Sequence, residues 1–223
     1  MDVMILNLEN LNEYRQPQAG DRIYRELLKS IMNGDISGGE FLPINTLSEK
    51  LNVSNTPVRE ALGKLSNDGI LKKIPYKGYK VREFNEKSII DIYETRAAIE
   101  SYACKLTAKK ATNEFISKLE KLQIEGEEFL EKDDLNNYRE YNEKLHKIII
   151  DNSRNSQLIS MYKRIDRITH ILAAQTIKIT GRPQRAVKEH KKIIDHIKNK
   201  NSEKARKIME NHILKALEEY KDS

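Results

Sequence analysis

The chain has 223 residues, 38% of them hydrophobic and 33% charged, with a formal net charge of +6. That length holds one large or two modest domains, and the apolar share excludes wholesale disorder. The longest apolar runs, such as Ile148 to Ile150, fall far short of the roughly 20 residues that cross a bilayer, which excludes a membrane-spanning protein. The first residues include Asp2 and Glu9 and lack a cationic leader, and Cys104 is the only cysteine. Secretion, an intrachain disulfide and a thiolate zinc cluster are therefore not expected, whereas a reducing cytoplasm is. A pI near 9.1 permits an anionic partner without specifying a fold.

Glycine and proline crowd the stretch from Gly34 to Gly78, and only Gly126, Gly181 and Pro183 follow it. This shift predicts residues 1–18 as an N-terminal extension, a turn-rich domain over 19–82, a joint at 83–85 and an all-helical domain over 86–223. In the first domain Ile23, Leu27, Leu28 and Ile31 recur with helical spacing, and Gly34 suits the position just past the helix. Thr46-Leu47-Ser48-Glu49 reads as a capping box that opens a second, short helix. After the break at Asn52-Val53-Ser54, Ser54 is expected to cap a third helix whose buried side is Val58, Ala61, Leu62 and Leu65. Two strands, near 70–74 and 79–82, then join through Pro75-Tyr76-Lys77-Gly78. Three helices and a hairpin make a winged helix-turn-helix, and the chain as a whole reads as mainly α.

In such a domain the N-terminal residues of the last helix meet base edges in the major groove, while neighbouring amides and hydroxyls hold phosphate. With Val58, Ala61, Leu62 and Leu65 inward, the helical period leaves Asn55, Thr56, Arg59 and Gly63 outward. Arg59 suits guanine, Asn55 suits adenine, and Ser54 and Thr56 suit phosphate. The wing adds Lys72, Lys73, Lys77, Lys80 and Arg82 with no acidic residue among them, a pattern fitted to a phosphate backbone or a minor groove.

These residues resemble the GntR family of transcription regulators. The resemblance is carried by Ile31 to Ile36, Gly38-Gly39, and the run from Leu47 through Ser54-Asn55-Thr56-Pro57-Val58-Arg59 to Leu62. It implies DNA contact by Ser54, Thr56, Arg59 and the wing glycine, Gly78, with Lys77 at a wing position. Asn45 and Asn55 stand where many relatives have arginine.

Six helical segments are expected beyond Asn85, near 86–110, 113–132, 134–151, 155–178, 183–200 and 202–221, with caps at Thr112, Asp133 or Asp134, Asn155 and Ser202. Polar residues on their apolar seams carry the chemistry, because an ionisable group inside a bundle needs a partner. Asn142 and His146 lie four apart on the seam of Leu135, Tyr138, Leu145 and Ile149. His190 lies with Val187, Ile194 and Ile197, and His212 with Ala205, Met209 and Ala216. Three inward imidazoles and a carboxamide suit Zn²⁺ or Ni²⁺. His170 and His196 fall off these seams and are not expected to be ligands. Arg96, on the seam of Ile89, Ile99 and Ala103, calls for an anion, either a structural glutamate or a bound carboxylate. Tyr138, Tyr141 and Tyr162 are candidates to line the cavity, and Cys104 reads as packing.

The arrangement resembles the C-terminal domain of the FadR subfamily (the FCD type), in its shorter, six-helix VanR-like form. The resemblance implies a metal at Asn142, His146, His190 and His212, and favours an effector carboxylate at Arg96. The preferred expectation is a homodimeric regulator, acting as a repressor at a pseudo-palindromic operator in double-stranded DNA. A small organic acid at the metal would shift the spacing of its two heads. The alternatives are a metal-dependent hydrolase, against which stands the lack of a nucleophile elbow, phosphate loop or His-Glu-x-x-His, and a helical interaction module whose polar seam residues only set register.

Overall fold

The computed structural model describes residues 19–176 and 179–222; the extension expected over 1–18 lies outside the described residues. The chain divides into two compact units between Asn85 and Glu86.

The first unit begins with α1 (Ala19–Asn33), which buries Ile23 and Leu27 and stops at Gly34 with φ 85°. A left-handed residue there costs glycine little. β1 (Phe41–Leu42) follows, a strand that the sequence reading missed because two residues show no periodicity. α2 (Ile44–Leu51) starts two residues ahead of the expected capping box: Pro43 is its N-cap, and no side chain bonds the free amides. The fixed φ of proline, here −72°, sets the extended entry that Thr46 was expected to provide. Asn52, left-handed at φ 51°, ends α2 and makes the turn to α3 (Asn55–Asn67). Val58, Ala61, Leu62 and Leu65 of α3 are all fully buried, as expected. β2 (Leu71–Ile74) and β3 (Gly78–Val81) form the antiparallel hairpin, and β3 also pairs with β1, giving the order β1-β3-β2.

Six helices make up the described part of the second unit: α4 (Glu86–Lys110), α5 (Asn113–Glu131), α6 (Leu135–Asn152), α7 (Ser156–Thr176), α8 (Arg182–Lys198) and α9 (Ser202–Lys221). Three of the expected caps form: Thr112 accepts from Phe115 N, Asp134 from Asn137 N, and Asn155 from Gln157 N and Leu158 N. Ser202 is not a cap but the first helical residue, after Asn201 at the N-cap, and Leu135 at the start of α6 is exposed rather than on the seam. α4 is the central element, packed most extensively along α9 and also against α6, α7 and α8. Tyr93, Cys104, Leu119, Leu145, Ile149 and Ile193 are fully buried among these helices. Burial pushes the Cys104 thiol well up, which keeps it inert. Among the described residues no helix is long and apolar enough to cross a membrane.

Candidate functional site

On the first unit, Ser54 takes the N-cap position of α3 with φ −70° and ψ 164°, yet its hydroxyl caps no amide and so stays available. Thr56 and Arg59 are exposed, and Arg59 has no ion-pair partner among the described residues. Asn55 is exposed but engaged. It lies 2.6 Å from Ser48 Oγ, which also donates toward the Asn45 carbonyl, and its Nδ2 donates to Asn45 Oδ1 at 3.2 Å. The two asparagines thus brace each other across the helix-turn-helix. Asn45 was noted in the sequence only as a departure from the family.

The five wing cations are not equivalent. Lys80 pairs with Glu83 at 3.1 Å and lies over the Phe41 ring, and Arg82 donates to the Gly69 carbonyl at 3.4 Å. Lys72, Lys73 and Lys77 remain exposed without partners among the described residues. Lys72 sits directly across from Lys80 in the ladder, a like-charge pairing that favours an external anion. Gly78 has φ 96°, and a Cβ there would stand 3.4 Å from the Leu42 carbonyl of β1. Close approach of strands is thus a structural reason for this glycine, beside the groove contact that the resemblance implies. Tyr76, fully exposed at φ 61°, forms the tip of the turn.

In the helical unit the structure brings together His146 of α6, His190 of α8 and His212 of α9. All three are buried, and their candidate ligand atoms lie within 4.8 Å of one another. His212 Nε2 is 3.2 Å from His190 Nε2 and 3.3 Å from His146 Nε2. Every Nδ1 has its own partner. His146 Nδ1 meets Glu100 Oε2 at 2.5 Å, and His212 Nδ1 meets Glu189 Oε2 at 2.7 Å. A carboxylate only accepts, so both nitrogens carry the proton. Arg182 Nη2 also approaches His212 Nδ1, at 3.4 Å, but it bonds the His212 carbonyl at 3.2 Å, and the shorter glutamate contact decides the tautomer.

For His190 the chain of partners is longer. Gln123 Nε2 donates to the Val187 carbonyl and to Glu127, which aims Gln123 Oε1 at Tyr141; the Tyr141 hydroxyl donates to that oxygen at 2.9 Å. The Tyr141 oxygen is then left to accept from His190 Nδ1 at 3.1 Å. All three Nε2 atoms therefore present lone pairs to one another with no hydrogen between them.

Such an array is repulsive by itself and attractive to a cation. Ligand atoms about 2.0 to 2.1 Å from a tetrahedral Zn²⁺ stand about 3.3 to 3.4 Å apart, close to the two separations observed. The donor set therefore fits a transition metal. Burial, then the neighbouring imidazoles and Arg182, hold His190 and His212 well below the usual histidine range, in the neutral form that a metal requires.

Two of the imidazoles rest on matching relays. Arg96 Nε donates to Glu100 Oε1 at 2.7 Å, and Arg182 Nη1 donates to Glu189 Oε2 at 3.0 Å. Burial alone would raise the Glu100 carboxyl, but Arg96 and His146 outweigh it and hold it down at about 2. Arg96 thus finds the structural glutamate that was one of its two expected partners, and it also borders a cavity shared with Asn142, His146, Arg182 and His212. Asn142 has no polar partner among the described residues.

Tyr138 lines that cavity, whereas Tyr162 packs in a separate cluster with Ile99, Ala103 and Ile150. His170 pairs with Asp166 and Glu143, and neither it nor His196 belongs to the triad. Sequence reasoning missed Glu100, Glu189, Arg182 and Gly126. Glu100 was within reach of it, lying four residues after Arg96 on the same seam. A Cβ on Gly126 would overlap the Tyr141 ring, so the glycine of α5 makes room for the residue that orients His190.

A winged helix-turn-helix followed by a helical unit with a buried histidine cluster beside a small cavity defines a two-domain DNA-binding regulator. Residues 19–81 match the model of bacterial regulatory proteins of the gntR family, and residues 91–215 match that of the FCD domain. The chain belongs to the GntR family, in its FadR-type branch, and is a DNA-binding transcriptional regulator rather than an enzyme. It is 30% identical over 189 residues to the HTH-type transcriptional regulator YdhC of Bacillus subtilis (strain 168), covering 83% of each chain. The HTH-type transcriptional repressor GlaR of Escherichia coli (strain K12) is 23% identical over 205 residues, covering 86% of this chain and 90% of that one. Among solved structures, E. coli McbR/YncC superposes with a TM-score of 0.76 at 20% identity, covering 91% of this chain and 97% of that one.

Proposed function

We propose that this regulator is a repressor whose helical domain holds a divalent transition metal, zinc or nickel, at His146, His190 and His212, with Asn142 as a neutral fourth donor. A small carboxylate bound at the metal and Arg96 is the effector. The convergence of three Nε2 lone pairs, each fixed by a partner on its Nδ1, carries this reading. When bound, the metal supplies a Lewis-acid centre that accepts carboxylate oxygens. The chain's own residues do the rest: Glu100, Glu189 and Tyr141 hold the imidazoles in one tautomer and orientation, while Arg96 and Arg182 supply N–H donors to the cavity.

On the head, Ser54, Thr56, Lys77 and Gly78 serve the phosphate backbone and the wing approach, Arg59 reads a base edge, and Asn55 reads a base with the amide positions that its brace to Asn45 leaves free. A homodimer in the cytoplasm, bound to a pseudo-palindromic operator, is the assembly this reading requires. Sensing then demands that the effector bind two arrangements of the protein unequally. The test is operator affinity of the zinc-loaded full chain, followed by fluorescence anisotropy as small carboxylates are titrated in. A drop in affinity with at least one acid, absent in a His190→Ala/His212→Ala variant, is expected. Operator affinity unmoved by every acid tried would remove the sensing role.

A further inference from the structure

We infer that Tyr76, at the tip of the wing, enters the minor groove of the operator and reads an A·T pair there through its hydroxyl. DNA binding is the activity of the family to which the chain belongs; the inference assigns part of its sequence preference to a residue outside α3.

Pro75 and Tyr76 are the central residues of the turn that Lys77 N closes on the Ile74 carbonyl at 3.2 Å. Proline first and a positive φ second is the pattern of a type II turn, whose second position favours glycine or asparagine. Tyrosine holds that position at φ 61°, where its Cβ crowds the following carbonyl oxygen. The other described non-glycine residues with positive φ, Asn52, Asp133, Arg154 and Lys200, are polar, and each follows a helix end. No packing offsets the strain at Tyr76: the side chain is fully exposed, with no hydrogen-bond or ring partner among the described residues. A bulky residue on a strained backbone, with nothing inside the protein to hold it there, is accounted for by what it meets outside.

The surroundings specify a polyanion. From Leu71 to Arg82 the hairpin carries five cations and no carboxylate, and Lys72, Lys73 and Lys77 have no partner among the described residues. Lys72 and Lys73 are successive residues of β2, so they project from opposite faces of the hairpin. Cations therefore flank the tip on both sides, as phosphates flank a groove.

Width and chemistry select the minor groove. At about 6 Å wide it excludes a two-stranded ribbon, whose strands alone stand about 4.8 Å apart before side chains, but it admits one ring held at a turn. Its floor shows only acceptors, adenine N3 and thymine O2, at an A·T pair, and a G·C pair adds the guanine N2 amino group. A phenol hydroxyl donates to either acceptor, and the amino group stands in its way. Runs of A·T also narrow the groove and deepen its negative potential, which favours Lys77 beside the ring.

The test uses the full-length protein and the duplex that it selects from a randomised pool, with affinity read by fluorescence anisotropy. Each adenine is replaced in turn by 2-aminoadenine, which puts an amino group into the minor groove and leaves the major-groove edge unchanged. Wild type is expected to lose about tenfold in affinity at one or more A·T pairs, the size of a mismatched pair. Tyr76→Gly relieves the backbone, so its melting temperature should equal or exceed that of wild type. Its affinity for the parent duplex should nonetheless fall about tenfold, and the 2-aminoadenine effect should vanish, a separation that a merely structural role would not produce. Tyr76→Phe, which keeps the ring and the strain, should lose about fivefold, the share of one hydrogen bond. Wild type that binds every 2-aminoadenine duplex as tightly as the parent would overturn the inference and leave DNA binding itself standing. So would Tyr76→Gly that keeps wild-type affinity or still senses the added amino group, and so would Tyr76→Phe at wild-type affinity.

Discussion

On α3 and the wing of the head, Arg59, Lys72, Lys73 and Lys77 stand exposed with no partner among the described residues. In the helical domain, by contrast, both arginines and both glutamates of the site are tied to one another or to His146 and His212, and the third imidazole, His190, is held by Tyr141. The difference follows from solvent. Exposed cations are hydrated until a polyanion arrives, so they need no internal partner. Buried ones must be matched as the chain folds, and what the matching leaves over is what the site offers to a ligand. In the head the offer is a basic face; in the bundle it is three lone pairs and a few N–H groups.

The most damaging way to break the buried side of this comparison is Glu100→Gln. It keeps the shape but leaves Arg96 charged and unmatched and frees His146 to change tautomer. A loss of about 3 to 5 kcal/mol in denaturant unfolding is expected, with metal affinity down about 10- to 100-fold. Stability and zinc affinity equal to wild type would mean that the relay does not hold the imidazole.

Gly126→Ala comes next. The added methyl meets the Tyr141 ring, and a cost of about 1 to 3 kcal/mol in unfolding is expected, with weaker zinc binding because His190 loses its orienting hydroxyl. On the exposed side, Arg59→Ala should cost about 1 to 3 kcal/mol at one operator position and relax specificity there, without altering the melting temperature. Lys72→Ala should lower affinity by a similar factor on all sequences and reduce the salt slope by about 1, the smallest of these effects.

Acid sharpens the contrast further. His190 and His212 are held neutral in the fold, well below their usual 6.5, first by burial. Their unfolded forms take up protons as pH drops through about 6.5, and the folded ones do so only later. Metal-free protein should therefore lose stability as pH falls below about 6.5. Calorimetric melting of chelator-treated samples measures this, and a flat profile from pH 7 to 5 would contradict it.

The same difference explains how much the sequence disclosed. The residues of α3 proposed to read DNA are contiguous, from Ser54 to Arg59, and helical spacing alone separates their inward and outward sides. The three converging histidines also showed, because each interrupts an apolar seam on its own helix. What could not be read were partnerships between helices. Glu189 lies one position before His190 in sequence yet supports His212 of α9, and Gly126 of α5 matters through Tyr141 of α6. Arg182 resembled part of a loop break at Gly181-Arg182-Pro183 and proved to be a buried cation in the first turn of α8. β1 and the start of α2 were lost to brevity and to a proline that did the work expected of a side-chain cap.

The measurement that bears most directly on the account is the metal content of the untagged, full-length protein, by elemental analysis, beside a His190→Ala/His212→Ala variant. About one transition-metal ion per chain in the wild type, absent from the folded variant, is the result expected of three converging lone pairs. A wild type that holds no metal after purification and after incubation with zinc would contradict it.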